Sequence, residues 1–279
     1  MKFRLGCELE YDVAENSVFI FNVGVNRQHQ TILSESFVVN SHLEYEEFTA
    51  PHEGNRFQRL VAPPGELTIV YRAEVETAYR MDNPDLIEEV PIDKLPPEAL
   101  VYLSPSRYCQ SDKLGRLAFS IFKEWQPGYS RVTAICNWIF GHVEYLRGSS
   151  DQHTSAFDTA TERAGVCRDF AHLGIAFCRA LSIPARFLSA YAYQLQPPDF
   201  HACFEAYLGN RWYLFDATRL APQNGLVRIG VGRDAADTPF ASIFGPAEMK
   251  RMSLSVEVVE DEATYKDPPG FTTSAIALS

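Results

Sequence analysis

The chain has 279 residues, of which 46% are hydrophobic, and carries a formal net charge of −11 at pH 7. This length suits one large or two modest domains, and the hydrophobic content is sufficient for a full core without disulfides. The acidic balance argues against a nucleic-acid partner, because proteins that bind nucleic acids present basic surfaces to the phosphates.

The start of the chain and its cysteines indicate a compartment. Charged residues interrupt the segment Met1–Glu8, which therefore lacks the apolar core of a signal peptide, and no run approaches a membrane span in length. The six cysteines include no CxxC pair and do not resemble a disulfide framework. We expect a cytoplasmic protein with free thiols and no membrane partner.

Strand-like patterns dominate the amino-terminal part of the chain. Alternating apolar and polar residues, or β-branched and aromatic runs, occur at 2–13, 17–25, 31–39 and 66–77. Turn residues such as Pro63-Pro64-Gly65 separate these runs. The pattern predicts an antiparallel β-sandwich domain at residues 1–80.

The remaining chain changes from proline-rich to helical and then to strand-like patterns. Prolines punctuate residues 81–110, which we predict to be a linker that packs on the domain junction. Apolar spacings of three and four residues predict helices at 111–125, 130–146, about 155–163 and from Cys167 toward Pro184. Strands are predicted at 185–193, 201–208, 211–216, 226–232 and 252–260. These elements give an α+β core at residues 111–260, followed by a loosely attached tail at 261–279.

Cys167 occupies a position that suits a reactive thiol. It starts an apolar-periodic helix, where backbone N–H groups are unpaired and the helix dipole is positive. Both features favour the thiolate, which is the nucleophilic form of cysteine. A small buried residue is the alternative interpretation for this position.

A predicted hairpin supplies the two partners that such a thiol requires. His201 starts one strand, Asp216 ends the next, and Gly209-Asn210 between the strands is a hairpin signal. A cysteine and a histidine with a carboxylate behind the imidazole form the minimum set for thiol-based acyl transfer. In this mechanism Cys167 attacks an amide carbonyl and His201 moves the proton. Asp216 orients the imidazole.

The motifs together resemble one known family. The runs Gly165-Val166-Cys167-Arg168-Asp169-Phe170-Ala171, Ile183-Pro184-Ala185-Arg186, His201-Ala202 and Phe215-Asp216-Ala217-Thr218, with Trp212, resemble the transglutaminase-like superfamily, and more narrowly its bacterial cysteine-protease branch. The resemblance spans about residues 131–245 and also the β-rich segment before them. It implies a papain-like core, with helices packed on an antiparallel sheet, behind the β-sandwich. One departure is Cys203, which stands where the family often has tryptophan.

Two further residues are candidates for the substrate cleft. The Cys167 backbone N–H is the natural first donor to an oxyanion, and Tyr145 is our candidate for the second. Cys203 lies two residues after His201 on the same strand, so both side chains should face the same way and Cys203 is a candidate cleft residue. No cofactor is expected, and the substrate would be a peptide, a protein or an amide-linked small molecule.

Two alternatives to the cysteine enzyme remain open. A zinc site could use Cys167, His201, Cys203 and Asp216, although this spacing lacks the close ligand pair of most structural zinc sites. A non-catalytic binding or scaffolding protein could also retain the fold, because fold does not fix function. The sequence leaves open whether an acyl-enzyme would react with water, giving hydrolysis, or with an amine, giving transamidation.

Overall fold

The amino-terminal part of the chain forms two antiparallel sheets around a shared hydrophobic core. The computed structural model describes residues 1–40, 43–259 and 269–278. The first strands are β1 Lys2–Val13, β2 Ser17–Phe21, β3 Gln30–Val39, β4 Tyr45–Thr49, β5 Arg56–Ala62 and β6 Gly65–Thr77. The alternation predicted for β1 is confirmed, since Phe3, Leu5 and Leu9 are buried in this core. One sheet contains β1, β3 and β6, and the other contains β2, β4 and β5.

The proline-rich segment after β6 consists of short elements. It contains strand β7 at Tyr79–Asp82, helix α1 at Pro97–Leu100 and single 3-10 turns at Pro84–Leu86, Ile92–Lys94 and Val101–Leu103. Tyr102 contacts two parts of the protein, because its hydroxyl donates to Glu53 Oε1 at 3.3 Å and its ring lies 5.3 Å from that of Trp212. The segment thus touches both the β-sandwich and the residues that follow.

Four helices and two short strands come next in the chain. They are α2 Ser111–Phe122, α3 Tyr129–His142, β8 Glu144–Tyr145, α4 Ala156–Glu162, β9 Ala164–Gly165 and α5 Cys167–Ala180. Helix α3 ends before the predicted residue 146 because β8 pairs in parallel with β9. Within the described ranges, no helix has the length and the hydrophobicity that crossing a bilayer would require.

Helix α5 packs on a four-stranded antiparallel sheet. The strands are β10 Ala185–Ala192, β11 Phe200–Leu208, β12 Arg211–Phe215 and β13 Leu226–Gly232, in the order β12-β11-β10-β13. Gly174 of α5 meets the Phe204 ring so closely that an added Cβ would lie 2.5 Å from it. The close approach of helix and sheet requires glycine at this position. The predicted α+β core is therefore confirmed.

Side-chain amides of the sandwich complete the hydrogen bonding of edge strand β13. Asn55 donates to the Val231 carbonyl at 2.7 Å and accepts from the Val231 N–H at 2.9 Å. Gln30 accepts from the Arg228 N–H at 2.7 Å and donates to the Arg228 carbonyl at 3.0 Å. All four partners are buried, and buried polar backbone groups are costly if left unpaired. These bonds therefore fix the sandwich against the core sheet.

The chain then returns to the sandwich, contrary to our prediction of a continuous core at 111–260. Strands β14 Ala241–Phe244 and β15 Ala247–Val258 pair with β2 and β1 and complete the two sheets. The strand predicted at 252–260 corresponds to β15, which ends at Val258 and belongs to the amino-terminal domain, while residue 260 lies outside the described residues. Residues 1–80 alone therefore do not complete that domain. Alternation predicted a strand here, but it carries no information on which sheet the strand joins.

The prediction of a loosely attached tail is wrong for the last described residues. Strand β16, Ala275–Leu278, pairs antiparallel with β7, and Ala275, Ile276 and Ala277 are buried. An apolar run of four residues is too short to show the periodicity of a strand. Strand β16 is therefore recognised only from its pairing with β7. Residues 261–268 and 279 of the predicted tail lie outside the described residues.

Candidate active site

Cys167 is held at the first position of α5 by a local hydrogen bond. The Val166 backbone N–H donates to the buried Asp169 carboxylate at 2.8 Å, which fixes the entry of the chain into the helix. A Cβ at Gly165 would lie 2.7 Å from the Asp169 Cβ, so this turn needs glycine. All six cysteines lie in described parts of the chain, and Cys167 is the one that is not buried. It therefore combines a helix start with solvent access.

The hairpin of β11 and β12 places His201 against Asp216 as the sequence predicts. The His201 Nε2 atom donates to Asp216 Oδ2 at 2.8 Å, and both residues are buried. The other carboxylate oxygen accepts from the Thr218 N–H at 2.8 Å and from the Thr218 hydroxyl at 2.7 Å. Both oxygens of Asp216 are thus occupied, and the carboxylate is fixed relative to the ring.

Electrostatics favour the charged forms of this pair. Burial alone would lower the pKa of His201, but the Asp216 carboxylate and, to a smaller extent, Cys167 raise it to about 10. Burial would raise the pKa of Asp216, yet His201 and the hydrogen bonds from Thr218 bring it below its usual value. At neutral pH the pair is therefore an imidazolium and a carboxylate.

One nitrogen of the His201 ring remains available. Its Nδ1 atom is buried and forms no hydrogen bond of normal geometry among the described residues. Cys167 lies near enough to contribute to the raised pKa of the ring. Because Nε2 is occupied by Asp216, Nδ1 is the atom left to exchange a proton with the sulfur.

Cys167 and His201 open into the same cavity. Its volume is about 630 Å³. Its lining residues come from both domains and include Tyr145, Cys167, Asp199, Phe200, His201 and Phe240. The rings of Phe200 and Phe240 stack with their centroids 5.3 Å apart, which joins the core sheet to the segment that leads into β14. The sandwich therefore contributes a wall of the cavity.

Tyr145 lies beside Cys167, on the same side of the cavity. Strand β8 pairs Tyr145 with Gly165 of β9, two residues before the cysteine. Burial and, to a smaller extent, the Cys167 sulfur raise the pKa of the phenol to about 12, while the Cys167 backbone N–H acts in the opposite direction. The hydroxyl is therefore protonated at neutral pH and close to the start of α5.

Cys203 does not line this cavity, contrary to our prediction. The side chain is 2% exposed and packs with Leu214, Leu226 and Ile276. Strand alternation does not determine what covers that face of β11, and residues from β12, β13 and β16 cover it beyond His201. Only the end of the strand that carries His201 is open to the cavity.

The four side chains of the zinc alternative do not converge. Among the described residues, no group of three or more His, Cys, Asp or Glu side chains is placed to hold a metal ion. Cys203 packs in an apolar cluster, away from the cavity that Cys167 and His201 line.

Several residues of the cavity wall were not predicted from the sequence. Phe240 and Ala241 lie about 40 residues after His201 in the chain, and no local pattern connects them to the site. Asp199 could have been found, because it precedes His201 by two residues and the alternation of β-strands places such residues on one face.

Family models match most of the chain. The model of the transglutaminase-like superfamily matches residues 115–217, and the model of the bacterial transglutaminase N-terminal domain matches residues 1–98. The first range contains Cys167, His201 and Asp216. The second covers most of the amino-terminal sheets.

Individual proteins are similar over much of their length. A crystal structure from Cytophaga hutchinsonii, described as a putative cysteine protease, is 48% identical, covers 99% of this chain and 97% of its own, and has a TM-score of 0.94. The uncharacterized protein ML0607 of Mycobacterium leprae is 27% identical over 216 residues, which are 71% of this chain and 75% of the relative. Rv2569c of Mycobacterium tuberculosis is 27% identical over 194 residues, which are 63% of this chain and 58% of the relative.

Proposed function

This chain belongs to the transglutaminase-like superfamily, and we propose that it is a cysteine-dependent enzyme that transfers acyl groups from amide bonds. The similar structure described as a putative cysteine protease supports a cysteine-based activity. The observation that carries the proposal is the buried His201–Asp216 pair, because His201 has one ring nitrogen without a hydrogen bond and lines the same cavity as Cys167.

Each of the three residues has a defined role in this proposal. The Cys167 thiolate attacks the amide carbonyl, forms the carbon–sulfur bond and generates an oxyanion. The His201 imidazolium then donates its Nδ1 proton to the leaving amine as the carbon–nitrogen bond breaks, which yields a thioester on Cys167. Asp216 holds the ring by Nε2 and stabilises its positive charge. Water or a second amine resolves the thioester.

A reducing compartment is part of the proposal. All six cysteines are free thiols, and the partly exposed Cys167 would be prone to oxidation in an oxidising compartment. We therefore propose a cytoplasmic location.

The proposal predicts a fast-reacting thiol at Cys167. A thiolate paired with an imidazolium should react with iodoacetamide at least about tenfold faster than a free thiol at about pH 6, where an ordinary thiol is almost fully protonated. Mass spectrometry of the peptide that contains Cys167 gives the rate, with glutathione as the reference thiol. If Cys167 reacts no faster than glutathione, the proposed nucleophile is wrong.

We also propose that the Tyr145 hydroxyl donates to the developing oxyanion. Tyr145→Phe should then lower kcat by roughly 10²-fold with little change in KM, because the lost hydrogen bond forms mainly in the transition state. The alkylation rate of Cys167 should not change. Tyr108→Phe is the matched control, since Tyr108 also lines the cavity but its hydroxyl donates to the Gln152 carbonyl at 2.8 Å. Equal losses in both variants would contradict the assignment.

A further inference from the structure

The Asp199 carboxylate lies in the candidate active-site cavity without an ion-pair partner. Asp199 is partly buried and lines the cavity together with Cys167 and His201. Its Oδ1 atom accepts from the Phe200 N–H at 2.7 Å. Among the described residues, no cationic side chain lies within ion-pair distance of it.

The two arginines of the cavity do not neutralise this carboxylate. Arg168 is committed elsewhere, since it donates to the Asp151 carbonyl at 2.6 Å and lies 3.4 Å from the Asp169 carboxylate. Arg147 is exposed and influences Asp199 through its charge, but it forms no hydrogen bond or ion pair with that carboxylate. Among the described residues, Asp199 thus forms no direct ion pair, and the charges of Arg147 and His201 act on it only through space.

Such a carboxylate is poorly solvated in the free protein. Burial raises the pKa of Asp199, while Arg147 and His201 offset only part of this effect. A partly desolvated anion gains stabilisation when a cation comes within hydrogen-bond distance. Asp199 faces the space in which a substrate must lie to reach Cys167, so the substrate itself is the available source of that cation.

We infer that Asp199 is a specificity-determining residue that selects substrates with a positively charged amine near the scissile amide. This inference rests on the proposed function, since it assigns a substrate class to the same cavity. The amine would form an ion pair with the carboxylate oxygen that does not bind the Phe200 N–H. The charge would therefore position the amide carbonyl above the Cys167 sulfur.

Thiol reagents of different charge test the inference without a known substrate. Methanethiosulfonates react when the thiolate attacks their sulfenyl sulfur, so that a disulfide forms and methanesulfinate leaves. The aminoethyl reagent is cationic, the methyl reagent is neutral and the sulfonatoethyl reagent is anionic. The measured quantity is the ratio of the cationic to the neutral rate at Cys167, divided by the same ratio for glutathione.

Asp199→Asn should lower this ratio by about fivefold and raise the anionic-to-neutral ratio, as expected for the loss of one partly solvated charge. The variant retains the carbonyl oxygen that accepts from the Phe200 N–H. Glu144→Gln is the matched control, because Glu144 is exposed, adjoins Tyr145 and does not line the cavity. In Glu144→Gln the cationic-to-neutral ratio should change by less than about twofold.

The two hypotheses fail in different ways. An unchanged ratio in Asp199→Asn, or an equal fall in Glu144→Gln, would overturn the role of Asp199 even if the neutral reagent reacts rapidly with Cys167. A slow reaction of the neutral reagent with wild-type Cys167 would instead contradict the proposed nucleophile. A selective fall of the cationic ratio in Asp199→Asn supports the inference.

Discussion

Cys167→Ala is expected to abolish any amide turnover that a screen of peptides and amide-linked small molecules detects in the wild type. Without the sulfur no thioester forms, and the remaining donors in the cavity do not supply a nucleophile. We expect a loss of at least about 10⁴-fold, the range found when a nucleophile of this type is removed. Product formation measured at saturating substrate for both proteins gives the ratio.

Cys203→Ala is the control for the loss of a thiol. Cys203 is buried in an apolar cluster and does not line the cavity, so its removal should change turnover by less than about threefold, although it removes some packing. Activity that persists in Cys167→Ala would exclude Cys167 as the nucleophile. A comparable loss in both variants would indicate damage to the fold.

Asp216→Asn is expected to lower kcat by roughly 10³- to 10⁴-fold while the protein remains folded. Asparagine retains one oxygen, but it provides no negative charge and its NH₂ group conflicts with a ring N–H donor. The Asp216 charge is the largest influence that raises the pKa of His201. Removal of the Asp216 charge therefore lowers the pKa of His201. The imidazolium that stabilises the Cys167 thiolate then loses its proton at a lower pH.

The same variant has a defined pH signature. In the wild type the pKa of His201 is about 10, so the ring stays protonated as the pH rises through neutrality. In Asp216→Asn the alkylation rate of Cys167 should fall most near neutral pH and less in acid, where the ring is still protonated. Asp82→Asn is the control, because Asp82 also accepts a hydrogen bond, from the Tyr213 hydroxyl at 2.9 Å, but does not line the cavity. Parallel pH profiles for Asp216→Asn and wild type would contradict the role of Asp216.

The geometry of the three central residues was predictable because each depends on local signals. Apolar spacing places Cys167 at a helix start, and a hairpin signal brings the strand of His201 beside the strand that precedes Asp216. Strand alternation and a two-residue turn then fix which side chains face each other. The register of β11 and β12, which runs from Phe204 opposite Phe215 to Leu208 opposite Arg211, confirms the predicted hairpin.

Features that depend on distant packing were not predictable. Alternation predicted a strand near residues 252–258, but the pairing of this strand with β1 joins residues about 250 positions apart. Similarly, the direction of Cys203 was correct relative to the strand, yet β16 and its neighbours determine that the face is closed. The wall at Phe240 depends on the same return of the chain to the sandwich. Local periodicity contains no information on such long-range pairing.

The proposed mechanism requires a covalent acyl group at Cys167. The direct measurement is mass spectrometry of the Cys167 peptide after wild-type enzyme is mixed with an amide found by the screen and quenched in acid within milliseconds. We predict that this peptide gains the mass of the acyl group and that hydroxylamine removes it, as expected for a thioester. Turnover without an acyl group on Cys167, or with the acyl group on another residue, would contradict the account.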